Sequence, residues 1–213
     1  MGRIVELLAA GIPATLAVTL GAFAIGLLGA LPLVALRLAP LAPARWLAAA
    51  LIDLLRAVPP VVWLFLIFFG LPQAGLSFAA LPAAVIGLGL IAAAYIAEIW
   101  RAGLDGVPAG QRDAARALGL TPLARLRLVT GPQALAIAVP PLGSYLVGLL
   151  KDSAIASTIG VNEIAFRALT ESQQSLDGLR VFLITGVIYL ALSLPFGLLA
   201  RWTSARLQRQ VAT

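Results

Sequence analysis

The chain contains neither cysteine nor histidine among its 213 residues. Without these side chains it cannot form disulfide bonds, iron–sulfur clusters or histidine-ligated haem, and nearly all zinc chemistry is excluded. No nucleophile–base constellation stands out either. Lys151 is the single lysine, and it lies outside any GxxxxGK phosphate loop. We therefore expect no metal site, cofactor or catalytic residue in this chain, so that any ATP and Mg²⁺ would be bound by another chain.

Charged residues are also scarce, at 11% of the chain against roughly a quarter in a soluble domain. Hydrophobic residues make up 61%, more than the chain could cover with polar surface in water. This excess predicts an integral membrane protein whose apolar side chains contact the lipid bilayer. The net charge of +6 does not indicate nucleic-acid binding, because the arginines fall between long apolar runs and not on one solvated face.

A helix needs about 20 mostly apolar residues to cross a bilayer. The apolar runs predict an all-α fold: a polytopic membrane helix bundle of five transmembrane helices, forming one domain over residues 1–213. The predicted spans are residues 11–36, 57–76, 79–100, 134–150 and 181–200. A tight turn near residues 72–77 is needed between the second and third spans. Residues 1–10 are expected to form a short helix and not a cleaved signal peptide, because the apolar run that follows is too long.

The positive charges predict the orientation of these spans. Eleven of the fifteen lysines and arginines fall in the first loop, the third loop and the C-terminal tail. They are Arg37, Arg45, Arg56, Arg101, Arg112, Arg116, Arg125, Arg127, Arg201, Arg206 and Arg209. Because cytoplasmic loops carry the excess of positive residues, we expect a periplasmic N-terminus and a cytoplasmic C-terminus in a bacterial inner membrane. The loop over residues 101–132 is then cytoplasmic.

This loop carries its own helix signals. Residues 111–118 are rich in alanine and arginine, and Gly119 is suited to end a helix there. Thr121 can cap a following helix with Pro122 in its first position. We expect residues 131–132, a glycine and a proline, to stop that second helix.

A loop in water does not need an apolar face unless it packs on something. The first short helix has a small, mostly apolar face formed by Ala114, Ala115 and Leu118. Three alternatives follow from the pattern alone. The loop packs on its own bundle, it docks a cytoplasmic partner, or it reads DNA as a helix-turn-helix, which such short helices tethered at a membrane do not favour.

The loop resembles the EAA loop of ABC importer permeases. The family pattern is Glu-Ala-Ala, three residues, Gly, nine residues, Ile, one residue, Leu-Pro. Residues 113–115 read Asp-Ala-Ala, and Gly119, Val129 and Pro132 follow at the same spacing. The departures are aspartate for glutamate, valine for isoleucine and Gly131 for leucine. The first two are mild, and the third removes an apolar contact at the helix end.

The resemblance covers most of residues 56–201 and is to the polar amino-acid subfamily. It is carried by the stretches RAVPPVVWLFLIFFGLP, AYIAEIWRAGL, VPAGQRDAARALGL and PQALAIAVPPLGSYLVGLLKDSAIASTIGVNEI. The resemblance implies the fold of an ABC type I importer permease that forms the translocation path. It also implies three kinds of partner: ABC ATPase subunits, a second permease subunit, identical or not, and a periplasmic amino-acid-binding protein. The residues it assigns to coupling with the ATPase are Gly110, Gln111, Asp113, Ala114, Ala115, Leu118 and Gly119.

Charges inside predicted spans are candidates for function, because placing them in lipid costs several kcal/mol. Glu98 has a structural alternative as the partner of Arg101, one helical turn away. Lys151 and Asp152 could form an interfacial ion pair or meet the carboxylate and ammonium groups of an amino acid. The residues predicted to line a substrate path are Lys151, Asp152, Ser153, Asn162 and Glu163.

Three rival functions share part of this pattern. A non-transporting membrane scaffold would have the spans and the charge bias without needing the glycine-joined spacing of the loop. A proton-driven secondary transporter would favour a repeat between two halves, and the sequence shows none clearly. A membrane enzyme is disfavoured because no catalytic constellation is present.

Overall fold

A computed structural model describes the backbone of residues 2–211 and the side chains of residues 2–207. Met1, the first residue of the predicted N-terminal helix, and the side chain of Arg209, counted among the tail charges, lie outside these limits. The helices are α1 Gly2–Ala9, α2 Ile12–Arg37, α3 Ala42–Ala57, α4 Pro60–Phe65, α5 Ala80–Asp105, α6 Ala109–Ala117, α7 Pro122–Arg125, α8 Gly131–Asp152, α9 Ile164–Ser175 and α10 Gly178–Val211. All regular structure in residues 2–211 is helical.

Shorter helical turns join several of these elements. A π-helical turn over Leu66–Gly70 and a 3₁₀ turn over Leu71–Ala74 continue α4. A second π-helical turn over Leu126–Thr130 joins α7 to α8, and a 3₁₀ helix over Ser153–Ile159 follows α8. The chain reverses between α4 and α5 at Gly75, whose φ of 83° is readily adopted by glycine. This reversal lies in the predicted turn region.

Four helical stretches are long and apolar enough to cross a membrane. They are Gly2–Arg37, Ala80–Asp105, Pro122–Ile159 and Gly178–Leu207. The pair formed by α3 and α4 is apolar enough to provide a fifth crossing, but it is bent by 98° between Ala57 and Pro60. The predicted all-α membrane bundle is confirmed.

The structure differs from the predicted boundaries most clearly in the first loop. Residues 42–56, expected to be part of that loop, and Ala57, expected to begin the second span, form the 16-residue helix α3. Its buried positions Ala48, Ile52 and Leu55 recur at helical spacing and pack towards α2 and α5. The charged residues Arg45, Asp53 and Arg56 interrupt its apolar sequence, and they made the segment resemble a polar loop.

Helices α2 and α5 share the most extensive contact among the described helices, and small residues make their approach possible. A Cβ added at Gly26 would lie 2.6 Å from the Cβ of Ala92, and one added at Gly89 would lie 2.7 Å from Ile25. Gly29 meets Ala93 in the same way, at 2.9 Å. In a bilayer, where apolar burial gives little driving force, such close van der Waals contact holds helices together.

Charged side chains join the ends of the same two helices. Glu98 accepts a hydrogen bond from Arg101 at 2.8 Å, as predicted, and Arg37 at the end of α2 lies 3.5 Å from the same carboxylate. Arg101 also binds Asp105 at 2.8 Å. The network shares the cost of placing charge near the membrane among four side chains, and it ties α2 to α5.

The expected helix stop at residues 131–132 is wrong. The helix continues from α7 through the π-helical turn into α8, where Pro132 occupies the first turn. The amide of Gly131 donates to the carbonyl oxygen of Leu126, five residues earlier, and that oxygen occupies the space that a Cβ would need. The wider turn lets a proline follow without ending the helix.

Helices α5 and α8 contact each other through their backbones near the start of α8. A Cβ at Gly103 of α5 would lie 2.8 Å from the carbonyl oxygen of Ala134.

We predict that Gly26→Ala lowers the stability of the bundle, whereas Gly186→Ala does not. The new methyl group at residue 26 would overpack the α2–α5 contact, which costs about 1–3 kcal/mol. Residue 186 of α10 has open space around it, so alanine there gains helix propensity without a clash. Thermal unfolding of both purified variants in the same detergent, followed by circular dichroism, measures the difference. Equal melting temperatures would contradict the proposed tight contact.

Candidate coupling and translocation sites

The predicted coupling segment forms helix α6, and its end has a well-defined geometry. Gly119, with a φ of 69°, donates from its amide to the carbonyl oxygen of Arg116 at 2.9 Å. The amide of Leu120 donates to the carbonyl oxygen of Ala115 at 3.2 Å. This pair of bonds is a Schellman motif, which ends a helix with a glycine in the left-handed conformation. The predicted helix end at Gly119 is confirmed.

The next predicted cap is also confirmed. The side-chain oxygen of Thr121 accepts from the amide of Ala124 at 3.3 Å, and Pro122 begins α7. The turn between α6 and α7 is therefore specified at both ends, by a glycine on one side and a threonine cap on the other. Such a turn holds α6 at a defined angle to the rod formed by α7 and α8.

The small apolar face of α6 divides between inward and outward positions. Ala115 is 2% exposed and packs within the chain, where α6 contacts the Leu126–Thr130 turn. Ala114 is exposed, and Leu118 is 78% exposed, an unusual environment for a leucine on a polar loop. Ala115 thus seats the helix on its own chain, and Leu118 is available to a partner.

The other predicted coupling residues lie around the same helix. Asp113 accepts a hydrogen bond from Arg116 at 3.0 Å, with both side chains about two-thirds exposed. Gln111 accepts from the side-chain amide of Gln133 at 3.4 Å, which links α6 to the first turn of α8. Gly110 is exposed at the first turn of α6. All seven predicted coupling residues therefore fall on α6 and its terminal turn, and their docking role stays a prediction.

The five residues predicted to line a substrate path do not form one cluster with free polar groups. Ser153 is fully buried, and its hydroxyl donates to the carbonyl oxygen of Leu150 at 2.7 Å. Lys151, Asp152 and Asn162 are exposed. Among the described side chains, Lys151 and Asp152 form no salt bridge within 4.0 Å, because adjacent residues on a helix point about 100° apart. The expected ion pair between them does not form.

Glu163 is fully buried, as Ser153 is, and both oxygens of its carboxylate accept hydrogen bonds. It is 0% exposed and caps α9, where its Oε1 accepts from the amide of Phe166 at 2.7 Å. Its Oε2 accepts from the hydroxyl of Tyr189 on α10 at 2.6 Å. The hydroxyl of Thr15 on α2 donates to the same oxygen at 3.4 Å and accepts from the amide of Ile164 at 3.3 Å.

These bonds join three helices around one carboxylate, and we call Thr15, Glu163 and Tyr189 the carboxylate clasp. The backbone of α2 approaches closely at the same place, since a Cβ at Gly11 would lie 2.6 Å from the amide nitrogen of Ile164. A buried carboxylate is tolerated when it is hydrogen-bonded, and here both of its oxygens accept hydrogen bonds. The geometry of Glu163 is that of a structural tie between α2, α9 and α10.

A row of aromatic and charged side chains was missed by the sequence analysis. The rings of Tyr95 on α5 and Tyr145 on α8 stack with their centres 5.4 Å apart. The guanidinium carbon of Arg56 lies 4.8 Å from the centre of the Tyr95 ring, within cation–π range. Asp152 follows Tyr145 by seven residues and therefore shares its face of α8. The available signal was that the chain has only three tyrosines, all within apolar spans.

Comparison with known proteins gives consistent results. Residues 22–209 match the family model described as "Binding-protein-dependent transport system inner membrane component". The chain is 40% identical over 156 residues to the probable amino-acid ABC transporter permease protein YckA of Bacillus subtilis (strain 168), covering 73% of this chain and 69% of that protein. It is 33% identical to the L-cystine transport system permease protein TcyB of the same organism, over 97% of this chain and 88% of that protein. A solved structure described as an amino acid ABC transporter with histidines superposes with a TM-score of 0.90 at 33% identity, covering 97% of this chain and 96% of the other.

We predict that Thr15→Val destabilises the protein more than Thr19→Val. Both threonines are fully buried on α2, but Thr19 bonds only to the carbonyl oxygen of Thr15 in its own helix. Losing the Thr15 hydroxyl leaves the amide of Ile164 without its acceptor and removes a donor to Glu163, at a cost of about 1–3 kcal/mol. The melting temperatures of the two purified variants give the comparison, and a smaller effect at Thr15 than at Thr19 would show that the clasp contributes nothing.

Proposed function

The chain belongs to the family of binding-protein-dependent transport system inner membrane components and is a permease subunit of the amino-acid ABC importer type. We propose that α6 and Gly119 couple this permease to ATPase subunits on separate chains. The observation that carries this proposal is the geometry of α6. The helix is fixed to its own chain through Ala115 and presents Leu118 outward, with a glycine-dependent turn behind it.

The orientation in the membrane follows from the distribution of arginines and is part of the proposal. The ends of α2 and α5 that carry Arg37 and Arg101 lie together, and α6 follows α5 directly. Positive charge marks the cytoplasmic side of a bacterial inner membrane. The N-terminus is therefore periplasmic, the C-terminus cytoplasmic, and α6 meets the ATPase from the membrane side. ATP and Mg²⁺ are bound by the ATPase, because this chain offers no phosphate loop.

Transport further requires partners that complete the path. The family is described as binding-protein-dependent, and we infer a periplasmic amino-acid-binding protein and a second permease subunit, identical or different. The row formed by Arg56, Tyr95, Tyr145 and Asp152 supports a path between the subunits on this side of the chain. A guanidinium or Lys151 can meet a substrate carboxylate, while Asp152 and the tyrosine faces can meet an ammonium group. These groups favour polar amino acids as substrates.

We expect Leu118→Glu to prevent coupling to the ATPase. Because Leu118 is 78% exposed in this chain, the substitution removes little packing within the permease. Docking would instead bury a carboxylate without a partner, so we expect at least about tenfold less ATPase retained, since each tenfold corresponds to 1.4 kcal/mol. Co-purification of the ATPase with the tagged permease, together with uptake in vesicles, provides the measurement.

Leu176→Glu is the matched control for this experiment. Leu176 is 90% exposed between α9 and α10, at the end of the bundle proposed to be periplasmic. This variant should insert into the membrane and retain the ATPase as the unmodified chain does. Full ATPase retention and uptake by Leu118→Glu would refute coupling through α6, while the family assignment would remain.

Asp152→Asn and Glu163→Gln should separate substrate handling from structural support. We expect Asp152→Asn to leave the melting temperature unchanged and to lower uptake about tenfold, because a charged hydrogen bond to the substrate is worth about 1.5–3 kcal/mol. Glu163→Gln should lower the melting temperature and leave the ratio of uptake among substrates unaltered. Radiolabelled glutamine, cystine and histidine would be tested in proteoliposomes with saturating binding protein. Normal uptake of all three by Asp152→Asn would remove that residue from the path.

A further inference from the structure

Helix α3 turns sharply away from the helix that follows it, and the turn is held by specific contacts. The angle between α3 and the Pro60–Ala74 segment is 98°. Pro59 has no amide hydrogen to donate to the carbonyl oxygen of Leu55, four residues earlier, so α3 cannot continue. The indole nitrogen of Trp63 donates to that oxygen instead, at 3.3 Å. The bend is therefore a defined elbow and not a break in an otherwise straight span.

The contacts with α5 give the direction of α4. Arg56 at the end of α3 lies against Tyr95, whereas Leu64 of α4 lies against Gly87, where an added Cβ would be 3.0 Å from its side chain. From Arg56 to Leu64 the chain advances eight residues, while the residues it contacts on α5 move back eight residues, from Tyr95 to Gly87. Thus α4 runs antiparallel to the spanning helix α5. Because α3 is nearly perpendicular to α4, it is also nearly perpendicular to α5.

Both ends of α3 lie at a similar depth in the membrane. The first residue of α3 is only five positions after Arg37, whose side chain contacts Glu98 of α5. Arg45 in the first turn of α3 donates to the carbonyl oxygen of Pro40 at 2.8 Å, which holds this end of α3 to the preceding loop. Its last turn places Arg56 over Tyr95. The two anchoring points on α5, Tyr95 and Glu98, are within one helical turn of each other, although α3 itself is about 24 Å long. The helix lies along the charged layer at the ends of α2 and α5.

Three different faces run along α3. One packs on the bundle through Ala48, Ile52 and Leu55, and a second carries the charged residues Arg45, Asp53 and Arg56. The third, which we call the apolar stripe, is exposed and consists of Leu47, Leu51 and Leu54, while the exposed Trp46 lies between the stripe and the charged face. At 100° per residue, the apolar stripe and the charged face point to nearly opposite sides of the helix.

We propose that α3 is an interfacial helix whose partner is lipid, with the apolar stripe at the boundary between headgroups and acyl chains of the leaflet in which α2 ends. Trp46, 76% exposed at the edge of the stripe, is the residue type enriched at that depth, and Arg45 and Asp53, on the face opposite the stripe, meet the headgroups and water. The connection from α2 carries the exposed residues Leu38 and Leu41, which continue the apolar surface towards α2. A helix in the membrane plane with apolar and charged faces opposed fits a bilayer interface better than a protein groove.

Spin labels can test the proposal directly, because the chain has no cysteine of its own. Single cysteines at Leu47, Leu51 and Leu54 sample the apolar stripe, and one at Asp53 is the control on the charged face. The complete transporter is reconstituted in vesicles of phosphatidylethanolamine and phosphatidylglycerol. Collision rates with oxygen, which enters the acyl region, and with a nickel chelate, which stays in water, are then measured at each position.

The expected pattern is severalfold higher oxygen collision at the three stripe positions than at Asp53, and the reverse for nickel. Leu47 and Leu54 should lie at equal depth although they are about 10 Å apart along the helix axis. Low collision with both reagents on the stripe would show a protein partner or a second copy there. Dominant nickel collision would show water, and a depth change of about 10 Å would show a spanning helix. Each of these three results overturns the proposal.

A measurement without labels guards against a disturbed elbow. Trp46→Phe is conservative and removes one of four tryptophans. The fluorescence lost in this variant should be quenched by phospholipids brominated near the headgroup more strongly than by those brominated near the chain end. Fluorescence of Trp46 that neither lipid quenches would overturn the proposal. Neither outcome affects the family assignment, which does not depend on α3.

Discussion

Direct contact between the backbones of α2 and α5 is the constraint on which the rest of the bundle depends. A bilayer offers little free energy for burying one apolar surface against another, so the pair must gain its stability from fit. Gly26 and Gly89 provide that fit by accepting side chains of the facing helix. The ion network around Glu98 can close only because α2 and α5 are this near. The elbow after α3 is built against the same stretch of α5.

Polar groups are few in this chain, and two of the buried ones, Thr15 and Glu163, connect helices. The carboxylate clasp brings together an N-terminal helix and two C-terminal ones, through residues separated by 148 positions in sequence. Tyr95 and Tyr145 connect α5 to α8 by stacking their rings. The consequence is that a polar residue in a span is not by itself a sign of substrate contact. Glu163 was predicted on that ground, and its geometry is that of a tie between helices.

Turns and helix caps were predictable from the sequence, because they depend on neighbouring residues. Contacts between segments distant in sequence were not. The turn after α6 depends on Gly119 and Thr121, which act within five residues, and both were correctly assigned. The inward position of Ala115 depends on where the Leu126–Thr130 turn comes to lie, and no spacing rule contains that information. Gly131 interrupts the family pattern and suggested a helix stop, but the π-helical turn makes use of it. Helix α3 was missed because Arg45, Asp53 and Arg56 interrupt its apolar sequence, and the prediction of spans relied on long uncharged runs.

The uninterrupted helical rod from Pro122 to Ile159 has a mechanical consequence. It crosses α5 where Gly103 meets Ala134, twelve residues from one end of the rod and twenty-five from the other. If that crossing acts as a fulcrum, the arm on the side of α6 is about half as long as the arm that carries Tyr145 and Asp152 to the opposite side of the bundle. A tilt applied at the short arm would then be delivered at the far end with about twice the displacement and half the force. A lever of this proportion suits a machine in which a strong, short movement must open a long passage.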